Sequence, residues 1–324
     1  MEATALPMFR DQLLDRRQKL ETAAATPGRA NEVTRLLREV DAALGRMNAG
    51  VFGLCATCHD PIEPERLLAD PLTQFCLDHL TPNEQRALEQ DLELASRIQR
   101  ELLPKPDVRF DGWEIAQHYQ PAGPVSGDYY DLIPGNAGQV YFLIGDVAGK
   151  GVAAAMLMSH LSAMLRTLVT VGLPVGQLME RVSRVFCEST LPAQYATLVC
   201  GCASSSGEIE VCNAGHPPPL LICGDEIARL DATGLPIGMF CSERFSSQIV
   251  RLAPGEMLLL YTDGLIEAQN AAGVEYGIER LSALAASANR QPKAIVDACL
   301  HDLAGFRGAT GLADDLTILA VRRL

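Results

Sequence analysis

The chain has 324 residues, 48% of them hydrophobic and 21% charged, a globular balance with room for two domains or one large domain with an appendage. Forty acidic against 27 basic side chains leave a net charge of −13, which excludes nonspecific binding to nucleic acid through its phosphates and leaves carboxylates to be gathered around divalent cations. The longest apolar stretch, residues 152–173, is broken by Ser159, His160, Ser162, Arg166 and Thr167, so it reads as a buried or amphipathic helix, not a membrane span.

Residues 1–20 carry charges throughout and show no signal-peptide core, so a cytoplasmic protein is expected. Apolar residues at helical intervals (Phe9, Leu13, Leu14, Leu20) predict a first helix over 9–25. A Thr26-Pro27-Gly28 break follows, then a second helical run over 31–48 (Val33, Leu36, Leu37, Val40, Leu44). The pair reads as an antiparallel helical hairpin leading into a cysteine cluster.

That cluster is Cys55-Ala-Thr-Cys58 and, after seventeen intervening residues, Cys76-Leu-Asp-His79. Two ligand pairs of this spacing let two tight turns present four donors to one Zn²⁺. His59 is an alternative ligand, but its place beside Cys58 suits the turn less well. A knuckle this small has no core of its own, so metal binding supplies much of its folding energy, roughly 10–16 kcal/mol. The other seven cysteines (Cys187, Cys200, Cys202, Cys212, Cys223, Cys241, Cys299) are scattered in apolar surroundings and are expected to be free core thiols in a reducing compartment.

The hairpin, with Gly50-Val-Phe-Gly-Leu-Cys, Pro61-Ile, Arg66-Leu-Leu-Ala-Asp-Pro and the closing Cys-x-x-His, resembles the DksA/TraR zinc-finger family over the first quarter of the chain. It departs at His79, where many members carry a fourth cysteine. It also lacks the acidic hairpin tip through which members of that family act at RNA polymerase.

A helical stripe over 82–103 (Leu88, Leu92, Ala95, Ile98, Leu102) starts at Pro82 and stops at Pro104, a natural connector. Such a stripe packs on its own domain or pairs with a second copy. After Pro106 the texture changes to strands, predicted at 113–120, 127–133, 139–146, 195–203, 208–213, 245–252, 257–262 and 316–322. Helices are predicted at 151–171, 175–189, 278–287 and 292–303. Strands joined by short turns, with helices in pairs, predict an α+β fold of two packed antiparallel sheets. The expected domains are 1–80, a connector over 81–105, and 106–324.

Four acidic sites fall at the ends of apolar strands: Ser126-Gly-Asp128-Tyr-Tyr-Asp131, Gly145-Asp146-Val-Ala-Gly-Lys-Gly151, Tyr261-Thr-Asp263-Gly-Leu-Ile-Glu267 and Asp314-Asp315-Leu-Thr317. One aspartate before glycine is an ordinary turn residue. Four of them point to one shared pocket, where mutual repulsion would be relieved by hard divalent cations such as Mg²⁺ or Mn²⁺.

These motifs, with Asn213-Ala-Gly-His-Pro-Pro-Pro and Gly234-Leu-Pro-Ile-Gly, resemble in order the SpoIIE/RsbU branch of the PPM phosphatases, over about 94–324. The resemblance implies two antiparallel sheets flanked by helices with a two-metal centre at one edge. Carried over by position, Asp146 would bridge two Mn²⁺ or Mg²⁺ ions, Asp128 and the Val147 carbonyl would serve one, and Asp263 and Asp314 the other. Asp131 and Asp315 would support them. The implied reaction is direct hydrolysis of a phosphoserine or phosphothreonine ester by an activated water, and the implied substrate is a phosphorylated STAS-domain anti-sigma-factor antagonist in a partner-switching pathway. Ala148 stands where eukaryotic relatives often carry a histidine. His216 is read as shaping its proline-rich turn, and Lys150 as a solvated residue able to help hold phosphate. A different class of function is a zinc-finger transcription regulator using a phosphatase-like domain as scaffold. No membrane association and no direct nucleic-acid binding are expected; the stripe over 82–103 leaves a homodimer open beside packing on its own domain.

Overall fold

The computed structural model describes residues 5–23, 30–80, 82–104, 110–191, 194–224 and 226–324. The chain divides into two compact units, Met1–Asp91 and Leu92–Leu324.

In the first unit, helix α1 (Ala5–Ala23) and helix α2 (Ala30–Asn48) lie where the apolar spacing places them, and a short α3 (Pro64–Ala69) follows the first cysteine pair. The predicted Thr26-Pro27-Gly28 turn lies outside the described residues. The core is small: Phe9, Leu13, Val40, Ala43, Met47, Phe52, Ile62 and Leu67 close around Cys55 and Cys76. Helix α4 (Pro82–Leu102) then runs across the division between the units.

The second unit is a sandwich. Its strands are β1 (Trp113–Gln120), β2 (Asp128–Pro134), β3 (Val140–Val147), β4 (Ala196–Ala203), β5 (Glu208–Ala214), β6 (Leu220–Cys223), β7 (Glu226–Arg229), β8 (Gln248–Arg251), β9 (Met257–Tyr261) and β10 (Leu316–Arg323). They form two five-stranded sheets, β1-β10-β9-β6-β7 and β2-β3-β4-β5-β8, with every neighbouring pair antiparallel. The α+β sandwich expected from the sequence is the fold observed.

Strand period explains the layers. Along β3, Val140, Phe142 and Ile144 point between the sheets, where they meet Val199, Leu258, Leu260, Leu319 and Val321. Tyr141, Leu143 and Val147 point the other way, under helices α5 (Gly151–Val169) and α6 (Val175–Ser189). The outer face of the first sheet is covered by α8 (Ile278–Ser287) and α9 (Pro292–Arg307), through Leu281, Ile295, Val296, Cys299 and Leu303. A short α7 (Asp263–Ile266) follows β9 directly. Phe142 faces Gly201 across the β3–β4 ladder, its ring lying where any side chain at 201 would sit.

Helix α5 is long and apolar enough to cross a membrane by length and composition. Ala154, Met158, Leu161, Leu165 and Val169 instead fill the core beneath it. The cysteine expectation needs a correction. Cys200, Cys202, Cys212 and Cys299 are buried free thiols and Cys223 is half-buried, but Cys187 and Cys241 form a disulfide between α6 and the loop after Gly238. They are 54 residues apart in sequence, so only the return of that loop to α6 brings them together.

Candidate metal centre

Antiparallel pairing of β2 with β3 sets Asp128 directly opposite Asp146. Facing like charges on a ladder are destabilising, so another force must hold this pair. Part of it comes from the opposite sheet. Thr262, just after β9, and Thr317, on β10, both donate their hydroxyls to Asp128 Oδ2, at 2.9 and 2.5 Å. The Thr317 amide in turn donates to Thr262 Oγ1. Asp128 is 1% exposed, and its other oxygen, Oδ1, is buried without a hydrogen-bond partner. Burial first, and Asp146 second, push its carboxyl well above the usual range.

The remaining acids arrive from three directions. Asp146 is pushed up to about 8, by burial and then by Asp263, Asp314 and Asp315. Asp263 opens α7, and burial followed by Asp314 raises it, with the Gly264 amide opposing. Gly264 lies against the Asp315 carbonyl, with no room for a side chain. Asp314 is paired with Lys150, Nζ to Oδ2 at 2.8 Å. All four predicted aspartates therefore converge on one end of the sandwich.

The neighbouring aspartates do different work. Asp315 accepts the amides of Ala122 and Gly127, at 2.7 and 2.9 Å, and so fixes the loop entering β2. Asp131 is fully buried and saturated: it accepts from Tyr129 Oη, the Leu132 amide and both nitrogens of an Arg166 fork. That fork also donates to the carbonyl of Leu102, the last residue of α4. Gln99, one turn earlier, is 4% exposed and clasps Ser126 by both its amide and its carbonyl.

The donor set fits hard divalent cations. An orphaned carboxylate oxygen faces a second raised carboxyl, and a side chain on Gly127 would crowd both the Val147 carbonyl and Asp146 Oδ1. His216 takes no part in the acid cluster. Its backbone is clasped by Asn213, its Nδ1 lies 2.8 Å from Thr197 Oγ1, and burial pushes it down to about 3.

Without added Mg²⁺ or Mn²⁺, stability should depend on pH in an unusual direction. A carboxyl raised to about 8 keeps its proton in the fold after the unfolded chain, near 3.8, has released its own. The folded state thus binds more protons between about pH 4 and pH 8, and stability falls as pH rises through that window. Melting temperature should drop between about pH 5 and pH 8, and saturating Mn²⁺ should abolish the drop. An equal slope with and without metal would contradict this.

The second cluster lies in the first unit. Cys55, Cys58, Cys76 and His79 each offer a ligand atom within 4.8 Å of the others. Cys58 Sγ is 3.8 Å from Cys76 Sγ, which is 3.3 Å from His79 Nδ1. His59 is exposed, stands outside this group, and takes a positive φ of 62° to turn the chain. Burial opposes ionisation of Cys55, but the amides of Cys58, Cys76 and Thr57 bring its thiol down to about 6. Among the described residues the four aspartates form no group so tight.

The four aspartates are legible in the sequence; the hydroxyls of Thr262 and Thr317 and the amide of Gln99 emerge only from the fold. Both threonines sit inside the acidic motifs, each next to or near an aspartate at a strand end, and that position is the available signal.

A sandwich of two antiparallel sheets with acids at one end defines a protein of the PP2C fold. The SiaA-PP2C domain of Pseudomonas aeruginosa superimposes with a TM-score of 0.64 at 22% identity, over 75% of this chain and 99% of that one. The family model for Stage II sporulation protein E (SpoIIE) matches residues 136–324, and the chain belongs to that family. A model for the prokaryotic dksA/traR C4-type zinc finger matches residues 50–78. The phosphoserine phosphatase RsbU of Bacillus subtilis is 25% identical over 246 residues, covering 74% of this chain and 72% of RsbU. Protein IcfG of Synechocystis sp. is 29% identical over 262 residues, 72% of this chain but 41% of IcfG, so the chain spans less than half of that relative.

Proposed function

We propose that the chain is a metal-dependent protein phosphatase that hydrolyses phosphoserine or phosphothreonine monoesters. The observation that carries this reading is the buried Asp128, with one oxygen partnerless, facing the half-buried Asp146 across the β2–β3 ladder, with Asp263 and Asp314 beside them. Asp146, Asp128 and the Val147 carbonyl, with Asp263 and Asp314, would hold two Mn²⁺ or Mg²⁺ ions. Bound there, such ions activate water for in-line attack on phosphorus and neutralise charge on the attacking and leaving oxygens.

The chain's own residues prepare that site. Thr262 and Thr317 orient Asp128, Asp315 pins the entering loop, and Gly127 keeps the Val147 carbonyl open. Ala148 offers no proton, so protonation of the leaving alkoxide falls to water in the site or to another residue. Cys55, Cys58, Cys76 and His79 would hold one structural Zn²⁺, and the zinc unit would act on the phosphatase unit through α4. Leu88, Leu94 and Ile98 are exposed along that helix, which supports pairing with a second copy.

The substrate we favour is a phosphorylated STAS-domain anti-sigma-factor antagonist in the cytoplasm, supported by the order of the SpoIIE/RsbU motifs and by the likeness to RsbU. The test is phosphate release from a panel of phosphoproteins by the full chain. Release from the phospho-STAS protein, dependent on Mn²⁺ or Mg²⁺, is expected; hydrolysis of every phosphoprotein except that one would overturn the substrate assignment.

A further inference from the structure

Lys150, expected from the sequence to be a solvated residue able to help hold phosphate, is held by two partners in the fold. Its Nζ is 2.8 Å from Asp314 Oδ2 and donates to the Ala313 carbonyl at 2.9 Å. The residue has extended backbone (φ −134°, ψ 163°) between Gly149 and Gly151, both of positive φ, immediately before α5. Its side chain is 68% exposed, so the ammonium is tethered at the rim of the acid cluster and not packed into it.

The bridge to Asp314 stands in a wall common to two grooves. One, of about 270 Å³, is bounded by Gly123, Gly151 and Asp315; the other, of about 220 Å³, by Gly264 and Glu267. An ammonium and a divalent cation on one carboxylate repel each other, so an ion that takes Asp314 at about 2.0–2.1 Å weakens the Lys150 pair, and the pair in turn weakens the ion.

We infer that Lys150 is a resident counter-ion of the acid cluster, one that competes with a divalent ion for Asp314 and, once displaced, receives the substrate's phosphate in the adjoining groove. The second half rests on the phosphatase reading; the first half does not. The lysine thereby ties metal loading to substrate capture. While it neutralises Asp314 it lowers metal affinity, and when metal takes Asp314 a free cation is left beside the site where a dianionic ester must dock. An exposed ion pair is weak enough to exchange in this way.

The test is Mn²⁺ titration of the zinc-loaded full chain by calorimetry, with Lys150→Met, Lys150→Arg, Asp314→Asn and the double variant Lys150→Met/Asp314→Asn. Lys150→Met should bind Mn²⁺ about fivefold tighter, Lys150→Arg should match the wild type, and the methionine should add nothing in the Asp314→Asn background. At saturating Mn²⁺, Lys150→Met should also raise KM for a phosphoserine peptide about fivefold to tenfold, largely sparing kcat. Tighter metal with weaker substrate is a pairing that a merely structural lysine would not produce. Unchanged or weaker Mn²⁺ binding in Lys150→Met overturns the inference, as does an equal gain with and without Asp314. If the metal affinities shift as expected but the wild type hydrolyses no phosphate ester, the counter-ion role stands and the phosphatase reading falls.

Discussion

Asp146→Asn is expected to lower the hydrolysis of a phosphoserine protein by at least about a thousandfold at saturating Mn²⁺, a loss of more than about 4 kcal/mol of transition-state stabilisation. Asparagine keeps the volume of the side chain and the β2–β3 and β3–β4 ladders on either side of it. It removes the negative charge that the account places between two cations. The same change should leave the protein without added metal at least as stable as the wild type, because burial and three neighbouring acids already disfavour that charge. Loss of activity without loss of stability separates a ligand from a structural residue. Steady-state rates and melting curves on one preparation give both readings, and near-normal turnover in Asp146→Asn would remove Asp146 from the centre.

Cys76→Ser is expected to unfold the first unit. Its core is a handful of side chains gathered around Cys55 and Cys76 themselves. Structural zinc in so small a module contributes roughly 10–16 kcal/mol, more than the whole stability of many domains. The variant should lose its equivalent of zinc, and amide exchange in α1 and α2 should become fast while β3 and β9 stay protected. Because α4 leaves this unit and ends with Gln99 on Ser126 and Leu102 on Arg166, the phosphatase rate should change as well. Full zinc content or unchanged protection of α2 in Cys76→Ser would contradict the ligand assignment. Unchanged turnover would confine the module to docking.

Much of this was legible in the chain itself. The strands predicted at 113–120 and 139–146 lie within a residue of β1 and β3, and along β3 two covered faces leave little choice of residue. The β6–β7 hairpin was not seen: its strands are four residues each, and Pro217, Pro218 and Pro219 immediately before it read as turn alone. The strand predicted to begin at Phe245 begins at Gln248, since Phe245 leaves the ladder to pack beneath Gly234. The acids of the site were legible because each sits in a motif at a strand end. What held them was not. The two threonines that donate to Asp128 Oδ2 lie 134 and 189 positions away, and only the packing of one sheet on the other buries its partnerless Oδ1. The Cys187–Cys241 bond was hidden for the same reason.

The proposed hydrolysis requires Asp128, Asp146, Asp263 and Asp314 to grip a pair of hard cations jointly. The most direct measurement is the number of Mn²⁺ ions bound per zinc-loaded chain, by calorimetry and electron paramagnetic resonance. It should be about two, with spectral coupling between them, falling in each of the four aspartate-to-asparagine variants. A wild-type chain that binds no Mn²⁺, or four variants that bind it as well as the wild type, would contradict it.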